Sequence, residues 1–269
     1  MNIRGIDFSG SARPGTDIWI TEGRFDDGRL SVSACRSAAD RFGVERRAAV
    51  LGEVRSLLET EPGATGLDFS FGLPAALLPE VLETWAEATE WFAGTFDGDA
   101  AAMRETLKER ARALPGDGVE LKRRTDTAVD ANSPYSFITY YQTLYGIRDV
   151  LFPLVRSGTV RAPPMDAPGD RNAIEIYPAG TLRRLDTVAT EYKDDTETGR
   201  RRRERIVDRL LETADVTLDI PPSVRRTVIN GAGGDALDSL VGAVATARAA
   251  ENGFEPHGEF DAREGCIYS

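Results

Sequence analysis

Three acidic residues stand in apolar surroundings within short hydrophobic segments. Asp7 lies in Gly-Ile-Asp-Phe-Ser-Gly, Asp68 in Gly-Leu-Asp-Phe-Ser-Phe-Gly, and Glu175 in Ala-Ile-Glu-Ile-Tyr-Pro. Burying an ionised carboxylate costs several kcal/mol unless a cation or hydrogen bonds compensate its charge. Because none of these motifs contains a basic residue, the set points to a bound divalent metal ion, which prefers oxygen ligands.

Two further acids, Asp235 and Asp238, begin a segment rich in small residues. On a helix, a spacing of three residues places both side chains on one face. Asp235 follows two glycines and can also cap the helix. The small residues that follow, at 242–247, allow this helix to approach a sheet closely and bring Asp238 toward the ends of the strands.

Hydrophobic patterns predict the strands that position these acids. The predicted strands span residues 2–8, 17–24, 30–35, 65–70 and 173–177. An Asp27-Gly28 turn joins the second and third as a hairpin. The first three strands are expected to pair antiparallel, and the later ones, separated by helices, to join in parallel. We therefore predict an α/β fold with a mixed five-stranded sheet and helices on both faces.

The remaining patterns predict helices and the domain organisation. The predicted helices span residues 44–60, 77–92, 99–113, 136–156, 197–214, 221–230 and 235–250. Residues 157–170, rich in Pro and Gly, are predicted to be a loop, and residues 265–268 a possible edge strand. We interpret residues 1–269 as a single domain with a helical insertion at about 75–165.

Composition excludes several kinds of site. Two cysteines and one histidine, His257, exclude a disulfide framework and a multi-histidine metal centre, and they make Ser-His-Asp catalysis improbable. The formal charge is −11 and only three residues are lysine, a pattern that suggests adaptation to high salt. An acidic surface repels nucleic acid at ordinary ionic strength, whereas at molar salt the Debye length falls to about 3 Å.

No segment approaches the length of an apolar membrane helix, and the N-terminus lacks the hydrophobic stretch of a signal peptide. We therefore expect a cytoplasmic protein that does not cross a membrane.

Basic and aromatic residues suggest contacts with a phosphate-bearing substrate. Arg123 and Arg124 belong to a polar segment that ends at Asp126, and a second arginine run covers 200–205. A charge run on a helix is usually a solvated face, so the first segment is the stronger candidate. Tyr135, Tyr140, Tyr141 and Tyr145 are interpreted as core or groove lining in preference to base-stacking residues.

The four acidic motifs together resemble the DUF429 family of predicted ribonuclease H-fold nucleases. The resemblance implies a ribonuclease H-like fold, with Asp7, Asp68, Asp235 and Asp238 holding Mg²⁺ or Mn²⁺ and Glu175 as an additional catalytic acid. The last helix is also similar to that of the RuvC Holliday-junction resolvases, in which two acids three residues apart complete the metal site. The predicted substrate-binding residues are Ser9, Arg123, Arg124, Asp126, Tyr192 and Lys193.

The leading functional hypothesis is a two-metal phosphodiesterase that cuts DNA or RNA. Two alternatives remain open. An ATP-dependent phosphotransferase of the actin-like class would need a second equivalent subdomain and an adenosine-binding glycine motif, for which only Gly231-Ala-Gly-Gly is available. A non-catalytic nucleic-acid-binding protein would keep the fold without the chemistry. Stabilisation by Mn²⁺ and turnover of ATP distinguish these hypotheses.

Overall fold

A computed structural model describes residues 1–116, 118–212 and 215–269, and it contains a seven-stranded mixed sheet. The strands are β1 (Asn2–Asp7), β2 (Trp19–Asp26), β3 (Arg29–Ser37), β4 (Gly63–Leu67), β5 (Arg171–Ile176), β6 (Thr217–Asp219) and β7 (Ile267–Tyr268). Their spatial order is β6-β3-β2-β1-β4-β5-β7. The first acid motif therefore lies on the central strand of the sheet.

Strand pairing follows the predicted pattern over the inner five strands. β1 and β3 both pair with β2 antiparallel, while β1–β4 and β4–β5 pair in parallel. The predicted number of five strands is wrong, since β6 and β7 add one parallel strand at each edge. β7 coincides with the possible edge strand at 265–268. β6 was missed because only Leu218 of its three residues is buried, which leaves no periodic signal.

Helices fill the connections. They are α1 (Ala38–Phe42), α2 (Arg47–Thr60), α3 (Trp85–Thr95), α4 (Ala100–Arg112), α5 (Arg124–Ala128), α6 (Tyr140–Gly146), α7 (Phe152–Ser157), α8 (Pro178–Arg184), α9 (Glu197–Glu212), α10 (Pro222–Asn230) and α11 (Asp235–Glu251). A π-helical turn, Ile147–Leu151, joins α6 to α7, so the long helix predicted at 136–156 is one continuous but irregular element. The last two residues of the helix predicted at 197–214 lie outside the described part.

The helix predicted at 77–92 begins later than expected. Only a short 3₁₀ turn forms at Ala75–Leu77, and α3 begins after Thr84. The Thr84 side chain accepts a hydrogen bond from the Glu87 backbone, and the Glu87 carboxylate accepts one from Thr84 in return. This capping box fixes the start of the helix at a position that hydrophobic spacing does not specify.

Two apolar cores lie on opposite faces of the sheet, as the prediction of helices on both faces requires. One contains buried side chains of α2, α3, α4 and the α6–α7 element, and the other contains those of α8 to α11. α11 crosses the central strands so closely that a Cβ atom at Gly5 of β1 would overlap the backbone of Ser239 and Ala243. The predicted close approach of this helix is therefore confirmed. Within the described residues, no helix is long and apolar enough to cross a membrane.

Candidate active site

Sheet register places Asp7 and Asp68 side by side. In the parallel pair β1–β4, Ile6 is the partner of Leu67, and the Asp68 amide donates to the Ile6 carbonyl at 3.0 Å. The two acids follow these residues directly. Because aligned residues on neighbouring strands point to the same face of a sheet, both carboxylates face α11.

The first turn of α11 brings the other pair of acids to the same place. Gly234 adopts a left-handed conformation, with φ of 83°, immediately before Asp235. The Asp238 side chain is almost fully buried, at 1% exposed. Burial raises the pKa of Asp7, and the negative charges of Asp238, Asp68 and Asp235 add to this effect.

These acids line an open pocket of about 630 Å³ at the carboxyl ends of the central strands. Its polar lining includes Asp7, Ser9, Asp17, Asp68, Arg123, Asp126, Gln142, Glu175, Tyr192, Lys193, Asp235 and Asp238. Arg124 does not line the pocket. Every other predicted site residue lines the pocket. Some of them, such as Arg123 and Asp126, already use their polar groups in hydrogen bonds within the protein.

Burial and mutual repulsion make the ionised forms of the acids in the pocket costly. Burial raises the pKa of Asp7 well above its ordinary value, with the charge of Asp238 as the next cause. Burial likewise raises the pKa of Asp68 to about 7, and Asp238 again adds to the effect. The pKa of Asp235 is raised as well, mainly by burial. A cation that entered this pocket would relieve these costs.

Lys193 and Tyr192 supply the contacts that compensate Asp238. The Lys193 Nζ lies 2.5 Å from one Asp238 carboxylate oxygen, and the Tyr192 hydroxyl donates to the other at 2.7 Å. Although burial lowers the pKa of Lys193, the charges of Asp238 and Asp7 raise it overall. The ammonium group therefore stays charged and acts as the local counter-ion of the carboxylates. Both residues were predicted to contact substrate, and in this structure both contact a predicted metal ligand.

A buried arginine holds the segment that carries these two residues. Arg203 of α9 is 2% exposed, and its guanidinium donates to the carbonyl oxygens of Tyr192, Asp194 and Ile229 at 2.5, 2.9 and 2.7 Å. Sequence reasoning treated the whole 200–205 run as a surface charge cluster. The helical spacing of Arg203 with Ile206, a core residue, was the signal that one arginine faces inward.

Glu175 lies on the opposite face of the sheet from Asp7 and Asp68. Leu67 is its partner on β4, so Glu175 stands one residue earlier in register than Asp68, and successive side chains on a strand point to opposite faces. Its carboxylate accepts a 2.7 Å hydrogen bond from Arg123 Nη1 and a 2.9 Å bond from the Phe71 amide. Glu175 is thus paired with Arg123 although it also lines the pocket, and its place among the catalytic acids stays a prediction.

Arg123 is enclosed, with no exposed side-chain surface. Besides Glu175, its guanidinium donates to both oxygens of Asp126, at 3.0 and 2.7 Å, and to the Glu264 carbonyl at 3.1 Å. The predicted substrate contacts of Arg123 and Asp126 require free groups, and the structure satisfies these groups internally. Arg124 points to solvent, with Nη1 3.4 Å from a carboxylate oxygen of Glu259. Arg123 and Asp126 therefore build part of the wall of the pocket.

Further polar groups in the pocket had no sequence signal. Gln142 of α6 lines it, and its amide donates to the Asp68 backbone carbonyl at 3.1 Å. Asp17, just before β2, accepts a hydrogen bond from the Ser11 hydroxyl at 2.8 Å. Ser9, which was predicted to bind substrate, lies in the same loop, and its hydroxyl accepts from the Ser11 amide at 3.3 Å. Gln142 and Asp17 were not predicted, because the positions of α6 and of the loop before β2 depend on the tertiary structure.

The carboxylate oxygens of the pocket are donors that suit a divalent cation, but the side chains are not positioned as a complete metal site. Within the described part of the chain, no three His, Cys, Asp or Glu side chains are arranged to hold one metal ion. The donor set of carboxylate oxygens nevertheless suits Mg²⁺ or Mn²⁺. Burial and the charge of Asp238 raise the pKa values of Asp7 and Asp68, although the charge of Lys193 lowers both.

Residues 151–257 match the sequence model of a family described as protein of unknown function, DUF429. This match supports assignment of the chain to the DUF429 family. The matched region includes Glu175, Tyr192, Lys193, Asp235 and Asp238, whereas Asp7, Asp68 and Arg123 precede it. Comparisons with curated proteins and with solved structures gave no match.

We expect Lys193→Met to tighten Mn²⁺ binding by about tenfold or more while destabilising the metal-free protein. Two unit charges about 4 Å apart interact by about 1 kcal/mol in water and about 4 kcal/mol near a protein surface, and 1.4 kcal/mol corresponds to about tenfold in affinity. Titration calorimetry with MnCl₂ and urea unfolding in EDTA measure the two effects. Lys122→Met is the matched control, because Lys122 lies outside the pocket lining, with its Nζ 3.8 Å from Asp130. Weaker or unchanged Mn²⁺ binding would show that Lys193 does not compete with the metal.

Proposed function

We propose that this DUF429 protein is a metal-dependent nuclease with a ribonuclease H-like fold. The observation that carries the proposal is the convergence of Asp7, Asp68, Asp235 and Asp238 on one open pocket, with burial and like charge raising the pKa of the first two. Clustered carboxylates of this kind are unstable unless a cation balances them. The inner sheet, with an antiparallel meander followed by parallel strands, supports the fold assignment.

The four carboxylates would hold Mg²⁺ or Mn²⁺, with Asp7 and Asp68 contributed by the strands and the other two by α11. When bound, such an ion polarises a phosphoryl oxygen and favours attack by water on phosphorus. The chain itself contributes rigidity, because Asp7 lies on the central strand and Asp238 on a helix packed tightly against it. Rigid supports of this kind hold reacting groups in place without loop motion.

Lys193 is the basic residue best placed for a phosphate. Its side chain is about half exposed at the pocket, and entry of a metal ion would weaken its attachment to Asp238. Released from the carboxylate, the ammonium group could pair with a phosphate of the substrate. Since the whole chain carries a charge of −11, local contacts of this kind must outweigh a repulsive overall field.

The alternative phosphotransferase requires two equivalent subdomains around a nucleotide. The described residues form one seven-stranded sheet rather than two, which favours the nuclease. A non-catalytic nucleic-acid-binding protein would share the fold, and its acids would not need to bind metal. Cleavage therefore separates this alternative from the proposal.

The test is a panel of labelled substrates: single-stranded DNA and RNA, duplexes, RNA–DNA hybrids and branched junctions. We expect cleavage of at least one class in high KCl with Mg²⁺ or Mn²⁺, and none in EDTA. High KCl is chosen because it screens the acidic surface. The control is ATP turnover under the same conditions. ATP hydrolysis without cleavage of any substrate would favour the phosphotransferase, and binding without either activity would favour the non-catalytic protein.

A further inference from the structure

An exposed aromatic and apolar segment lies at the rim of the pocket. Phe137 is 75% exposed, Ile138 71% and Tyr141 43%, whereas most other large apolar side chains are buried. Exposure of several such side chains within five residues is costly in water. We call this segment, residues 137–141, the aromatic rim. Its exposure suggests that it is a surface to which a ligand binds.

The aromatic rim is continuous with the carboxylate pocket. Ile138 and Thr139 line the pocket directly, and Gln142, one residue beyond the rim, donates to the Asp68 carbonyl. On the other side, Gly10, in the loop that follows Asp7, packs so closely on Tyr141 that a Cβ atom there would overlap its backbone. A ligand on the rim would therefore lie next to the carboxylates.

The aromatic rings form a connected series with arginines around it. The ring centroids of Phe137 and Tyr140 are 6.3 Å apart, those of Tyr140 and Tyr141 4.4 Å, and those of Tyr141 and Tyr145 6.3 Å. The Arg104 guanidinium lies 5.9 Å from the Phe137 ring centroid, and that of Arg47 lies 3.7 Å from the Tyr145 centroid. Arg104 is also paired with Glu120 at 2.7 Å, whereas Arg47 Nε donates to the Ser11 carbonyl at 2.6 Å. Exposed rings with arginines beside them suit a ligand that has both planar rings and phosphate groups.

We propose that the aromatic rim is a stacking platform for the unpaired bases of a nucleic-acid strand whose backbone enters the carboxylate pocket. Every base has a flat face that stacks on aromatic side chains, and arginines add contacts to the backbone. In a duplex these faces are occupied by neighbouring bases, so the platform selects single strands or unpaired regions. The inference rests on the proposed nuclease function, which would cleave the bound strand. Binding of the strand to the aromatic rim does not itself require a metal ion.

Binding to the rim can be measured without cleavage. Fluorescence anisotropy in EDTA and high KCl compares labelled single-stranded DNA, single-stranded RNA and a blunt duplex of the same sequence. We expect Phe137→Ala and Tyr141→Ala each to weaken single-strand binding by about 5- to 150-fold, the effect expected for loss of one stacked base. Duplex affinity should change little. Phe137→Trp, which keeps an aromatic face, should retain the affinity of the original protein.

Val81→Ala is the matched control, because Val81 is 81% exposed and lies outside the pocket lining. The proposal is overturned if no single strand binds, if Val81→Ala weakens binding as much as Phe137→Ala, or if sedimentation shows that Phe137→Ala instead dissociates a dimer. Single-strand binding without metal-dependent cleavage would leave the platform standing and reject the nuclease. Cleavage that is unaffected by both rim variants would reject the platform alone.

Discussion

Replacing Asp7 by Asn is expected to lower metal-dependent cleavage by at least about 10³-fold. The substitution keeps the size of the side chain but removes one charge from the acids proposed to bind the metal. Stabilisation of charge by such an ion contributes several kcal/mol to catalysis, and each 1.36 kcal/mol corresponds to about tenfold in rate. The measurement is the initial rate of cleavage on the best substrate of the panel, at saturating Mn²⁺.

Asp17→Asn is the matched control for this variant. Asp17 lines the same pocket but is not one of the four proposed ligands, and its carboxylate is held by Ser11. We expect its rate to stay within about an order of magnitude of the unsubstituted protein, because no proposed ligand is removed. If Asp7→Asn kept full activity, Asp7 would not be part of the catalytic site.

The same variant should change how stability depends on pH in the absence of metal. A carboxyl group whose pKa is raised by folding binds its proton more tightly in the folded state, so its contribution favours folding at low pH and is lost as pH rises. For Asp68 the window runs from about 4, the ordinary value, to about 7. Asp7, whose pKa is also raised, contributes over a window that starts at the same ordinary value.

In EDTA, Asp7→Asn should therefore lose less stability than the unsubstituted protein as pH rises above about 4, because one titrating group is gone and repulsion on Asp68 is reduced. Urea unfolding across pH measures this difference. Parallel stability curves for the two proteins would show that Asp7 does not interact strongly with its acidic neighbours.

Arg123→Met is expected to lower the free energy of unfolding by about 3 to 5 kcal/mol, the usual cost of removing one partner from a buried ion pair. The guanidinium neutralises Asp126 and Glu175, which are 1% and 3% exposed, so its loss leaves two buried carboxylates without a cation. Arg124→Met is the neighbouring control. Its side chain is 63% exposed and pairs with an exposed Glu259, so the change should be within about 0.5 kcal/mol.

The double variant Arg123→Met/Glu175→Gln should recover part of the lost stability, because one of the uncompensated charges is also removed. Urea denaturation of the unsubstituted protein, Arg123→Met, Glu175→Gln and the double variant gives four free energies of unfolding. Their mutant cycle gives the interaction free energy between Arg123 and Glu175. A stable Arg123→Met protein with weakened substrate binding would contradict the structural role and restore the sequence-based prediction that Arg123 contacts substrate.

The sequence alone specified most of the architecture. Apolar alternation and turn residues predicted the inner strands and their directions, and helical spacing predicted α4, α9, α10 and α11 to within a few residues. These features are local, because the spacing of apolar residues and the capping residues of a helix lie within a short stretch of sequence. The small-residue helix that carries Asp235 and Asp238 was also expected to lie close to the sheet, and Gly5 allows this.

What the sequence could not specify was the side of the sheet on which each acid lies. Asp7, Asp68 and Glu175 occupy similar apolar motifs, so their local patterns are equivalent. Register distinguishes them: Asp68 follows Leu67, while Glu175 is paired with Leu67, and a one-residue offset turns a side chain to the opposite face. Asp7 and Asp68 therefore face α11, and Glu175 faces Arg123.

The partners of these acids were likewise decided only by the tertiary structure. Lys193 reaches Asp238 across 45 positions of sequence, and Arg123 reaches Glu175 across 52. Sequence reasoning assigned Arg123 to substrate because it had no measure of burial, whereas the half-exposed Lys193 both pairs with Asp238 and stays a candidate for binding phosphate. A charge that is exposed can bind a ligand, whereas one that is buried must be neutralised by its neighbours, and only the folded chain distinguishes the two.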